Sequence, residues 1–346
     1  MHELTDKNFN HLKIHTQYSI CEGTVKIDDL KDYCKKNKIK SVGLSDTSNL
    51  SGALEFSENI SKSGTQPIIG SQILFKVDDV LGLLPLIALN QKGYKRIIEI
   101  SSKSYLENDK VSEPHCLFQE LLSNSDGLVI FSGSINGLIG KLFNKGRFNE
   151  IEQIYKKLNN IYKDNFYIEI QRHGDQNEKS FENFNLTESK KFNIPIIASH
   201  EVFYLEKSMH EAHDALTCIG NKTYVNEKNR IKLSDQHYFK STEEMLHLFS
   251  DLPEALENNY NFPLRCHFRP LKSNPILPNI GSEAGIDPND LLKKYSNDGL
   301  LDKFLNIFKL PKNNIFQDEK YAKYKKRLDH EIKIIQNMNY SSYFLI

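Results

Sequence analysis

An α/β fold with a barrel-like domain and a polar mouth is predicted for this chain by three observations. Short runs rich in β-branched residues recur along it, and helical periodicities separate most of them. Several runs also end in polar side chains, at the strand ends where (β/α) barrels gather their functional groups.

The first run, His11–Thr16, alternates His11, Lys13 and His15 with Leu12 and Ile14. A period of two puts the polar side chains on one strand face and the apolar ones on the other. A polar row facing the middle of a fold needs partners, usually metal ions, anions or carboxylates. The same stretch also reads as a half-exposed edge strand with surface histidines. A polar turn follows to Gly23, and then a helix whose Ile27, Leu30 and Tyr33 share a face. The second run, Ser41–Ser45, ends at Asp46. Gly64 and Pro67 stop a helix before the third, Pro67–Val77, and the fourth is Leu83–Asn90. No helix fits between the third and fourth, so a regular eight-fold barrel is not expected.

The fifth run, Leu128–Ser132, leads into Ser132-Gly133-Ser134, which lacks the partnered histidine of a nucleophile elbow. An amphipathic helix with Ile151, Ile154, Tyr155 and Leu158 on one side comes next. The sixth run, Phe166–Gln171, ends in Arg172-His173, and the seventh, Pro195–Leu205, contains Ser199-His200-Glu201. His173 and His200 are possible extra ligands, although solvent-facing histidines are the commoner case.

Beyond residue 205 helices and loops are expected. His210–Ile219 carries His210 and His213, which match no strand end and read as surface or interface residues. Thr242–Phe249 is entered through a capping box, Ser241 with Glu244. Pro270–Pro278 reads as a linker, dividing the chain into residues 1–270 and 271–346. Leu291–Phe308 and Ala322–Met338 read as helices, with Leu328, Ile332 and Ile335 striping the second. The basic stretch Lys320–Arg327, interleaved with tyrosines, reads as a phosphate-contacting patch or as a solvated helix face. The abrupt apolar end, Tyr343-Phe344-Leu345-Ile346, suggests truncation.

Lys plus Arg and Asp plus Glu both number 45, which excludes the global basic footprint of a duplex binder. Five widely spaced cysteines without a C-x-x-C pair suit a reducing compartment, and a cytoplasmic location is expected. No apolar run is long enough to span a bilayer, so no membrane partner is expected.

Several segments resemble the N-terminal part of the bacterial replicative DNA polymerase III alpha subunits. They are Tyr18-Ser19 with Glu22-Gly23, Leu44–Leu50, Lys62–Gly70, Gly93-Tyr94, Leu252–Asn258, Arg265-Cys266 and Met338–Ile346. The resemblance implies a PHP (polymerase and histidinol phosphatase) domain over residues 1–270, folded as an irregular seven-stranded (β/α) barrel. Residues 271–346 would then be a linker and the mainly helical start of a polymerase palm region. It further implies a parent that copies DNA with Mg²⁺, whose polymerase aspartates lie beyond the chain end, so that this fragment itself is inactive.

Family members that keep the PHP site bind up to three ions there for phosphoester hydrolysis. Carried over by position, the pattern leaves His15, Glu22, Asp46 and Glu201 as ligand types. Lys13, Thr47, Leu83 and Phe203 stand where the family has histidines, Gln72 where it has a glutamate, and Ser134 where it has a cysteine. The site therefore reads as vestigial, either with weak residual binding of Mn²⁺ or Zn²⁺ or with no cofactor. In the latter case Lys13 replaces the ion and pairs with Glu22, Asp46 or Glu201. A scaffold that docks the proofreading 3′–5′ exonuclease subunit is the expected role, with other replicase subunits, and DNA through the full-length polymerase, as further partners. The alternative is a metal-dependent phosphoesterase, an exonuclease or a pyrophosphatase, at the barrel mouth.

Overall fold

The β-branched runs become strands, and their pairing bends the sheet round on itself. In the computed structural model, which describes residues 8–108, 113–274, 285–307 and 318–346, the strands are β1 (His11–Ile14), β2 (Ser41–Thr47), β3 (Gln66–Val77) and β4 (Val80–Ala88). They continue with β5 (Cys116–Leu117), β6 (Leu128–Phe131), β7 (Phe166–Ile170), β8 (Ile196–Ala198) and β9 (Glu201–Val202). The pairing order is β8-β7-β6-β4-β3-β2-β1-β9, with β5 attached to β3. Strands β8 and β9 are two halves of one segment bent at Ser199-His200. The Ser199 N–H donates to Ile170 O on one side, and the His15 N–H donates to Val202 O on the other. The path therefore starts and ends on the same piece of chain. Counting that piece once, the ring has seven members, as expected.

The irregularity lies at β3 and β4, which form an antiparallel hairpin in a mostly parallel sheet. Asp78 takes the left-handed conformation (φ 49°) that its two-residue turn needs. Strand β4 also pairs antiparallel with β6, and helices cross between the parallel strands β1 and β2 and between β6 and β7. Helix Ile27–Asn37 buries Ile27, Leu30 and Cys34, with Tyr33 only half-buried, and helix Phe148–Tyr162 buries Ile151, Ile154, Tyr155 and Leu158. The capping box forms at Ser241, ahead of helix Thr242–Leu248.

The face assignment of β1 needs correcting. Its register against β2 shifts between His11 and Ile14, so the period-two rule fails inside it. Leu12 packs with Ile68, Val129, Phe131 and Ile197, one residue or more from each of several strands. Ile14 packs instead with Ile27, Leu30 and Leu44. His11 leaves the polar row: it lies 4.1 Å from the Phe239 ring, with Nε2 2.8 Å from Lys240 O. Lys13 and His15 are what remains of that row, and every residue of β1 is buried.

The chain divides into two compact units, Met1–Lys272 and Ser273–Ile346. In the second, the described helices are Pro288–Ile307, Glu319–Asn337 and Ser341–Leu345. Phe304 and Tyr321 pack edge to face, and Ile332 is buried between half-buried Leu328 and Ile335. Within the basic stretch, Lys325 pairs with Asp329 and Arg327 with Glu331, as on a solvated helix face. Residues 275–278 of the proposed linker, and Phe308, lie outside the described residues.

Candidate functional site

Parallel pairing of β1 with β9 sets Lys13 opposite Glu201. The ammonium is fully buried, 3.3 Å from Glu169 Oε1 and 3.5 Å from Glu201 Oε1. Neither contact is a well-aligned hydrogen bond, so the attraction is chiefly between charges. Of the three acids expected around Lys13, only Glu201 is there. Glu22 and Asp46 are not its partners, and Glu169, which sequence reasoning missed, is. A signal for it existed: Glu169 is the one charged residue in the otherwise apolar run Phe166–Ile170.

Glu201 collects the other polar groups of the mouth. His15 Nε2 lies 2.9 Å from Glu201 Oε1, and Gln72 Nε2 donates to the same oxygen at 2.5 Å. Burial pushes this carboxyl up, but the Lys13 charge and the bonds from His15 and Gln72 outweigh it and hold the group well below the usual carboxylate range. Phe203 stacks on the His15 ring at 4.4 Å.

The remaining acids have their own partners. Asp46 accepts from the Thr16 N–H, the Thr16 hydroxyl and the Ser19 hydroxyl, each at 2.7 Å. Burial still raises its pKa against those bonds. Its role is to tie the turn after β1 to β2. Glu22 accepts from the Thr47 hydroxyl at 2.5 Å. Gly23 closes the same turn, where a Cβ would collide with the carbonyl oxygens of Thr16 and His15.

A cleft of about 540 Å³ opens over these groups and is lined by His15, Glu22, Thr47, Gln72, Leu83, Ser134, Glu201 and Phe203. The fold thus brings eight of the ten residues that the resemblance points to into one cavity, with Lys13 and Asp46 buried behind it. A multi-ion centre does not fit this donor set. Leu83 and Phe203 offer no lone pair, and a cation already neutralises Glu201 from within the barrel.

The histidines sit differently from their sequence reading. His173 and His200 are almost wholly buried, as is His237, which sequence reasoning passed over because a lone histidine in a loop carries no pattern. The three form a stack, His200 to His173 at 4.5 Å and His173 to His237 at 4.1 Å. Burial holds His173 and His200 well below the usual histidine range. His213 is not a surface residue. It is buried, its Nε2 lies 2.7 Å from Glu22 O, and burial lowers it to about 4.

The PHP-domain family matches residues 11–173. The chain is 35% identical to the DNA polymerase III subunit alpha of Rickettsia felis over 342 residues, covering 98% of this chain and 28% of that protein. It is 32% identical to the subunit alpha of Caulobacter vibrioides over 359 residues, covering all of this chain and 30% of that protein. The chain thus spans under a third of the length of these relatives. Among solved structures, a two-domain protein of Bacteroides vulgatus, containing a predicted PHP-like metal-dependent phosphoesterase, is similar at 13% identity over 69% of this chain and 62% of that one. The TM-score is 0.34. No described helix is long and apolar enough to cross a membrane.

Proposed function

We propose, for a chain whose residues 11–173 match the PHP-domain family, that it is the PHP-bearing portion of a cytoplasmic DNA polymerase III alpha subunit in which the barrel has become a scaffold. In that role it supports the polymerase, which would carry out Mg²⁺-dependent, DNA-templated synthesis with residues outside this chain, and docks a separate proofreading 3′–5′ exonuclease subunit. The observation that carries the reading is the Lys13 ammonium, buried between Glu169 and Glu201. A metal-dependent phosphoester hydrolase uses divalent ions both to generate hydroxide and to stabilise the leaving oxygen. Here a fixed side-chain charge compensates the acids instead, which stabilises the fold and activates no water.

Two measurements test it. Incubated with 3′-labelled single-stranded DNA and Mn²⁺ or Zn²⁺, the purified chain is expected to release no nucleotide. Release that is abolished in His15→Gln or Glu201→Gln would return the barrel mouth to the phosphoesterases. Mixed with the exonuclease subunit of the same organism, the chain is expected to co-elute in gel filtration, and separation at micromolar concentrations would remove the docking role.

A further inference from the structure

Beyond the vestigial family positions, the mouth contains a second group of ligand-type side chains. We propose that Asp175, His237 and His173 bind one divalent cation of the zinc class, at a site separate from the positions carried over from the family. Among the described residues they are the one set of three or more His, Cys, Asp or Glu whose ligand atoms all lie within 4.8 Å of one another.

His237 is the key residue. Its ring is 3% exposed, and Nδ1 lies 3.2 Å from the backbone carbonyl of Glu201, to which it donates. That bond fixes the tautomer and leaves the Nε2 lone pair free, as in the second-shell arrangement of metal-binding histidines. Nε2 has no hydrogen-bond partner. It points toward Asp175, whose Oδ2 is 3.6 Å away. This separation is too long for a hydrogen bond but close to the roughly 3.4 Å between two ligand atoms on a tetrahedral zinc with bonds of about 2.1 Å. Asp175 and His237 both line the cleft, so an ion can reach them from solvent.

His173 supplies the third ligand by exchanging one of its present contacts. Its Nε2 now accepts from the Glu201 N–H at 3.1 Å, and its Nδ1 lies 3.2 Å from Glu178 Oε1. Its ring lies face to face with that of His237, the planes 5° apart. Lone pairs in parallel rings do not converge, so closing the site has to swing one ring out of the stack. Two imidazoles and one carboxylate favour Zn²⁺ over Mg²⁺, which prefers an all-oxygen octahedron. Solvent would complete the coordination.

The test is a calorimetric titration of the intact chain with ZnCl₂ at pH 7, with histidine ring signals followed by NMR. The expected result is one site, weakened at least tenfold in His237→Gln and in Asp175→Asn and unchanged in His15→Gln, with the His173 and His237 signals moving on addition of Zn²⁺. Asp175 lies at the rim of the cleft, so its variant tests the site without disturbing the core. Absence of binding, binding that survives both variants, or binding lost only in His15→Gln would each overturn the proposal. None of these readouts depends on hydrolysis or on the exonuclease subunit, so this proposal and the scaffold reading stand or fall separately.

Discussion

Replacing Lys13 with methionine keeps most of the side-chain volume and removes only the charge that two buried acids share. Glu169 Oε1 and Glu201 Oε1 lie 3.3 and 3.5 Å from the nitrogen. At an effective dielectric of about 20 each contact is worth about 5 kcal/mol of gross attraction, most of it offset by the cost of burying the charges. Without Lys13, two carboxylates no more than about 7 Å apart face each other, and Glu169 Oε2 already lacks a hydrogen-bond partner. Breaking a buried pair from one side typically costs about 3–5 kcal/mol, and that is the loss expected here at pH 7 by urea unfolding followed by circular dichroism. Two controls separate charge from packing. Adding Glu169→Gln to Lys13→Met should recover a substantial part of the loss. The deficit should also shrink between pH 7 and 5, because Glu201, no longer held low by Lys13, takes up a proton there. A variant within about 1 kcal/mol of the parent at pH 7 would refute the claim that Lys13 compensates these acids.

The buried histidines predict a second pH dependence. Burial lowers His11 and His213 to about 4 from an ordinary value near 6.5. The unfolded chain therefore binds these protons first, and stability is complete above about pH 6.5 and falls as the pH drops toward 4, by about 3 kcal/mol per group at the lower end. Glu178, raised to about 7 by burial, acts in the opposite sense between about pH 4.5 and 7 and offsets roughly one histidine. Urea midpoints should fall from pH 7 to 5, and a flat profile would contradict neutral burial of these rings. Asn259→Ala should cost about 3 kcal/mol by the same unfolding assay. Its side chain accepts from the Asn10 N–H at 2.8 Å and donates to the carbonyls of Asn10 and Ala198, joining the entry to β1 with β8. A loss under about 1 kcal/mol would show that the freed groups find other partners.

Much of the fold was legible because it depends on short-range rules. β-branched runs, helical apolar spacing, the left-handed stop at Gly64 and the Ser241 capping box all act within a few residues. That Leu83 and Phe203 offer the mouth no donor is equally plain from the residue types, since no fold can give those side chains a lone pair. Tertiary structure alone decided how the remaining polar groups pair. The register shift in β1 turned His11 away and left Lys13 pointing at Glu169, a residue 156 positions later on a strand that reaches it only because the sheet curls round. It also stacked His237 on His173 from loops whose local sequence carries no periodicity. Backbone conformation follows from neighbours in the chain, whereas charge compensation follows from neighbours in space, and around Lys13 those neighbours come from strands far along the chain.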